Sequence, residues 1–240
     1  MNIGVFQREN VDKAVKHYDD GRNMHKITII VSISLLTLIL VMVCSCKSSP
    51  TPSTTTDFNS DNSATLKSAN GLSLSLSLDS TIYNPSQQIS IVIDEKNTLS
   101  KTNIVSISNK WSYSYLTLGQ CGTYLLPFGV ALLQGYYSST NISTATPLMF
   151  YDYSVQPCPI VFGKITTYDF KPSSDIATIQ YKSQPGTQPI KTNVAFSLQL
   201  TGYWTGSPPP IKKNFEPGDY TVVAGDEWGN LVIVHFTVSQ

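Results

Sequence analysis

An all-β domain of sandwich type, held outside a cell by one apolar N-terminal segment, is what the sequence predicts. Three observations carry that expectation. Residues 72–78 read LSLSLSL, placing Leu72, Leu74, Leu76 and Leu78 on one face and serines on the other, the period-2 pattern of a half-buried strand. Beyond residue 70, short β-rich runs alternate with turn residues, and none sustains an apolar period of 3.6 residues. Upstream, residues 27–46 (ITIIVSISLLTLILVMVCSC) carry no charge and have about the length a helix needs to cross ~30 Å of hydrocarbon.

Lys13, Lys16, Arg22 and Lys26 precede this apolar run and only Lys47 follows it closely. The positive-inside rule then places residues 1–26 in the cytoplasm and the rest outside. Translation starting at Met24 would instead make Met24-His25-Lys26 the charged start of a signal peptide, with residues 1–23 upstream of the true start. Val43-Cys44-Ser45-Cys46 resembles a bacterial lipobox, with an aliphatic residue three before Cys46 and a small one just before it. Cys44 in a position usually held by a small residue departs from that pattern. A retained signal anchor and a lipoprotein anchored through Cys46 both stay open, and both leave the domain at the cell membrane.

Residues 47–70 are nearly all Ser, Thr, Pro, Asn and Asp, too poor in apolar side chains to offset the entropy of ordering, and read as a flexible tether. The β domain is expected over 71–240. After the first strand, Ile89, Ile91 and Ile93 repeat the alternation beyond an Asn84-Pro85 turn, with Asp94 facing away. Further strands are expected at 104–108, 113–118, 128–134, 148–151, 160–162, 176–181, 193–203, 220–224 and 231–238. No fixed-period repeat appears, which argues against a solenoid or propeller and for one domain.

Composition narrows the function. Charged residues are 13% of the 240, with sixteen Lys+Arg balancing sixteen Asp+Glu. Soluble domains carry roughly 25% charged residues. A neutral chain has no global field to recruit nucleic acid. The only arginines, Arg8 and Arg22, lie before the apolar segment, so the exterior lacks the bidentate donor favoured for phosphate and carboxylate. No phosphate-binding glycine loop, GxSxG elbow, HExxH or EF-hand spacing occurs.

Cys121 and Cys158 are the only cysteines beyond the membrane segment, and in an oxidising exterior they are expected to form a disulfide. A catalytic or metal-bound thiol would need a histidine nearby. His17 and His25 precede the membrane, and His235 sits within the apolar run LVIVHFTV.

Glu216-Pro217-Gly218-Asp219-Tyr220 followed by TVVA places a tyrosine at the mouth of a strand. This resembles the tyrosine corner of immunoglobulin-like sandwiches, in which the phenol bonds back to upstream backbone. Val222 stands where antibody domains have their second cysteine, a departure from that pattern. Residues 215–238, with YTVVAGDEWG at their centre, resemble the C-terminal end of membrane-anchored or secreted prokaryotic proteins with immunoglobulin-like exteriors. The resemblance implies fold and location; it brings no substrate, cofactor or catalytic residues.

Two sets of residues are candidates for chemistry. The adjacent acids Asp94-Glu95 and Asp226-Glu227 could serve acid/base hydrolysis or hold calcium, but neighbours along a strand point to opposite faces, so neither pair is preformed. Asp226-Glu227, flanked by Gly225 and Gly229, also reads as a solvated turn, which leaves it a weak metal candidate. Trp111, Tyr113 and Tyr115 alternate with serines and on an extended strand would present three rings along one face. Such a face could stack on sugars or anchor a protein; the same rings could equally fill the core. The leading expectation is a tethered, non-catalytic surface module that binds an envelope glycan or a surface protein, without catalytic residue, cofactor or nucleic-acid partner. The alternative is a secreted hydrolase with an acid/tyrosine site.

Overall fold

The computed structural model describes residues 55–60, 62–123, 125–154, 164–182 and 188–240, with backbone alone for 55–60. The expected membrane segment, Cys46, Cys158 and the strand at 160–162 lie outside the described residues. All described residues belong to one compact unit that begins at Pro52.

The described chain is all-β. Its first strands are β1 (Thr55–Ser60), β2 (Ser63–Lys67), β3 (Leu72–Leu78), β4 (Ile82–Tyr83), β5 (Ile89–Asn97) and β6 (Asn103–Ser106). Then come β7 (Phe128–Gln134), β8 (Pro147–Leu148), β9 (Ile165–Phe170), β10 (Ile176–Tyr181) and β11 (Ile190–Asn193). The last are β12 (Ala195–Leu200), β13 (Tyr203–Thr205), β14 (Ile211–Lys213), β15 (Gly218–Asp226) and β16 (Leu231–Val238).

Two five-stranded sheets, β1-β2-β3-β5-β12 and β4-β16-β15-β7-β8, meet face to face where β16 and β15 approach β2 and β3. A four-stranded sheet, β11-β10-β9-β6, and the hairpin β13-β14 complete the architecture. Every named pairing is antiparallel except the short one between β4 and β16. The serine-leucine alternation of β3 is realised in full, with all four leucines buried and the serines half-exposed. They pack with Ile89, Ile91 and Ile93 against Tyr220, Val222, Val234 and Phe236 of the opposite sheet. At roughly 1.5–3 kcal/mol for each large side chain fully buried, this interior drives the closure of the two sheets.

Three expectations change. The tether is shorter than composition suggested, because β1 and β2 extend the first sheet beyond β3. Ala64 and Leu66 alone supply β2's buried face, which suffices where a strand needs only one apolar side. The 193–203 run breaks into pieces: β11 joins the four-stranded sheet, while β12 pairs with β5 across Ala195↔Asp94 to Leu200↔Ile89. The third change concerns residues 113–118, which are no strand and bear on the site below.

Candidate functional site

The outer face of the second five-stranded sheet is where the aromatic segment lands. β7 and β15 pair there with Gly129 opposite Gly225. A methyl group added at Gly129 would lie 2.9 Å from the Thr117 amide nitrogen, and one at Gly225 would lie 2.6 Å from the Leu116 side chain. The two glycines leave a bare saddle in the sheet, and the chain lies in it. Thr117 is held by two main-chain bonds to Val130, of 3.0 and 2.9 Å. Leu116 and Tyr113 join Ala131, Leu133 and Val223 in a second, smaller apolar cluster.

This packing corrects the expected arrangement of Trp111, Tyr113 and Tyr115. The segment turns instead of extending, and its three rings differ in exposure. Tyr113 is buried and its hydroxyl donates to the Ala145 carbonyl at 3.2 Å. Trp111 is half-buried against the same cluster. Tyr115 alone stays 53% exposed, its ring standing edge-on to Tyr113 with centroids 5.4 Å apart.

Beside Tyr115 opens a groove of about 340 Å³, bordered by Tyr151, Met149, Leu148, Gln120 and Thr117. Gly122, with φ +70°, lets the 117–122 loop fold back, and the Leu118 amide donates to the Gly122 carbonyl at 2.8 Å. Met149 bridges Trp204 of the β13-β14 hairpin, which fixes the opposite wall. Among the described residues the lining contains no Asp, Glu, Lys, Arg or His. What it offers is ring faces, a thioether, hydroxyls and one amide: stacking and neutral hydrogen bonding, and no group suited to general acid/base work near neutral pH.

The acids lie elsewhere. The Asp94-Glu95 pair splits, as strand geometry requires. Asp94 turns outward to Lys96, 2.6 Å away, whereas Glu95 turns into the core and is fully buried. Burial pushes the Glu95 carboxyl well above the usual carboxylate range, and the Asp226 and Asp94 charges push it further. Asp226 is not a solvated turn residue. It is fully buried and its carboxylate accepts from the Trp228 and Asn230 amides, each at 2.9 Å, so it organises the β15-β16 turn. Burial raises its pKa against the lowering effect of those bonds.

Glu227 is also buried, accepts from the Ser108 amide at 3.1 Å, and is raised to about 7 by burial. Trp228 packs edge-on to Tyr168 and Phe170 and donates its indole N–H to the Ser106 carbonyl at 2.8 Å. The turn thereby grips the four-stranded sheet. Among the described residues no group of three or more His, Cys, Asp or Glu is placed to hold a metal; Asp226 Oδ1 and Glu227 Oε1 accept from main-chain amides, and Asp226 Oδ2 accepts from the Asn230 side-chain amide.

Tyr220 bonds back to the main chain upstream of its strand. The buried Tyr220 hydroxyl donates to the Glu216 carbonyl at 2.9 Å and accepts from the Glu216 amide at 3.1 Å. Its ring stacks on Phe236 at 5.0 Å. Cys121 is disulfide-bonded. Among the described residues no helix is long and apolar enough to cross a membrane. Gln120, Met149 and Tyr151 were not singled out together in the sequence, since only the glycine saddle brings their loops to one place. No protein-family model, curated protein or solved structure matches this chain.

Proposed function

We propose that the chain is a non-catalytic binding module, tethered at the outer side of a cell membrane by residues 27–46, with the groove beside Tyr115 as its ligand site. The anchor is either the retained apolar helix or, after cleavage, a lipid on Cys46. The β domain reads as an immunoglobulin-like sandwich, a reading supported by two facing sheets and by the Tyr220–Glu216 corner.

The observation that carries the functional reading is the chemistry of the groove. An exposed tyrosine ring flanked by Gln120 and Thr117, without ionisable acids or bases, suits a neutral, hydroxyl-rich ligand such as an envelope glycan. Hydrolysis is disfavoured because Glu95, Asp226 and Glu227 are buried away from that groove.

A melting-temperature screen of the full-length chain against neutral envelope oligosaccharides tests the reading. Ligand at a hundred times its Kd should add about 2.7 kcal/mol. Tyr115→Ala should abolish the shift without lowering the melting temperature of the free protein. A shift that survives Tyr115→Ala, or none with any glycan, would overturn this site.

A further inference from the structure

Glu95 takes the fourth inward position of β5, after Ile89, Ile91 and Ile93. Among the described residues neither of its carboxyl oxygens has a hydrogen-bond partner. Among the described residues the elements packed around it supply no balancing cation. Its partner on β3 is Leu74, and β3, β7 and β12 contain no charged residue. The only charge on β2 is the exposed Lys67. On β15, Asp219 is exposed and Tyr220 is held by Glu216, leaving Asp226 as the acid at Glu95's end of the core.

The one titratable group of β16, His235, sits on the outer face, where it bonds the Tyr137 carbonyl and stacks on Tyr136. On β5 itself Asp94 and Lys96 turn outward to each other. From the four-stranded sheet Tyr168 approaches Glu227, whose carboxylate is engaged by Ser108.

A carboxylate here would be a desolvated charge facing a second carboxylate, a state that folded proteins avoid by keeping the proton or by opening. We propose that Glu95 is a pH trigger at the junction of the two five-stranded sheets: with its proton the sheets close over it, and loss of that proton to water parts them at this end. Opening would release the β15-β16 turn, whose Trp228 holds Ser106, Tyr168 and Phe170. The four-stranded sheet would then lose its grip on the sandwich. This device stands independently of any ligand in the Tyr115 groove.

Hydrogen exchange of the full-length chain, read by peptide mass between pH 5 and pH 8.5 and corrected for intrinsic exchange rates, tests it. Peptides covering 89–97 and 220–231 should lose protection by about tenfold or more as pH rises, while 203–213 should not. Glu95→Gln should keep them protected at pH 8.5, and Glu95→Leu serves if the glutamine variant does not fold. Because Glu227 titrates nearby, the loss should persist in Glu227→Gln. A loss that is unchanged in both Glu95 variants, that vanishes in Glu227→Gln alone, or that is absent from the wild type would overturn the proposal.

Discussion

Glu95 and Asp226 come from different sheets yet occupy the same end of one core, both fully buried. Their outward or turn-side neighbours, Asp94 and Glu227, take Lys96 and the Ser108 amide instead. Strand alternation therefore parts Asp94 from Glu95, the β15-β16 turn keeps Asp226 and Glu227 both buried, and a cross-sheet relationship sets Glu95 against Asp226.

Glu227 should make the domain less stable as pH rises. Its folded pKa of about 7 lies above the ordinary glutamate value of 4.5, so the folded state binds the extra proton between those limits. The contribution is fully present below pH 4.5, where it amounts to about 3 kcal/mol, and is lost as pH climbs through about 7. Urea midpoints measured from pH 4.5 to pH 8 should fall, and should fall less in Glu227→Gln. A flat wild-type profile would contradict this.

Removing only the hydroxyl at Tyr220 tests the corner. Tyr220→Phe keeps the stack on Phe236 but leaves the Glu216 amide and carbonyl without their partner. The expected cost is about 1–3 kcal/mol in chemical denaturation. Tyr83→Phe, which loses its bonds to Asp79 and the Ser80 amide in an equally buried setting, should cost about as much.

The saddle predicts a separable effect on shape. Gly129→Ala forces its new methyl group against the Thr117 amide nitrogen and the Leu116 main chain, so the Tyr113–Thr117 segment should lift from the sheet. Near-ultraviolet circular dichroism should change and ligand shifts through Tyr115 should weaken. Gly206→Ala, where nothing lies within 4 Å, controls for handling but carries its own positive-φ strain.

The expected partner of Cys121 is Cys158. Reducing that bond would free a loop of about 38 residues and cost roughly 2–4 kcal/mol. Non-reducing peptide maps should join the peptides holding residues 121 and 158. Separate masses without reductant would refute the pairing.

Local pattern made much of this fold legible. Strands expected at 128–134, 176–181 and 231–238 occur within those bounds, and the leucines of β3 face inward as their spacing requires. The signal for Glu95 was also present, since continuing the Ile89, Ile91, Ile93 series by two residues reaches it. What escaped was set by distant partners. YSYL alternates like a strand, yet Gly129 and Gly225 offer it a seat over the sheet face, and Thr117 bonds to the β7 edge. β2 was obscured by its polar company, and β9 (ITTYDF) by an alternation too short to stand out, since only Tyr168 and Phe170 turn fully inward. The groove could not be read because its walls, from Thr117 to Met149, meet only after the sheet has formed.

The single parallel pairing has a mechanical consequence. β16 is clamped between β15, which runs against it from Gly218↔Val238 to Gly225↔Leu231, and the short β4, which runs with it through Thr237 and Val238. A pull on the chain beyond Val238 along the strand axis would load the β15 ladder in shear, so its bonds would resist together instead of opening one after another. It would meet first the bonds from the Thr237 and Ser239 amides to the Thr81 and Tyr83 carbonyls, which act as a latch at the loaded end.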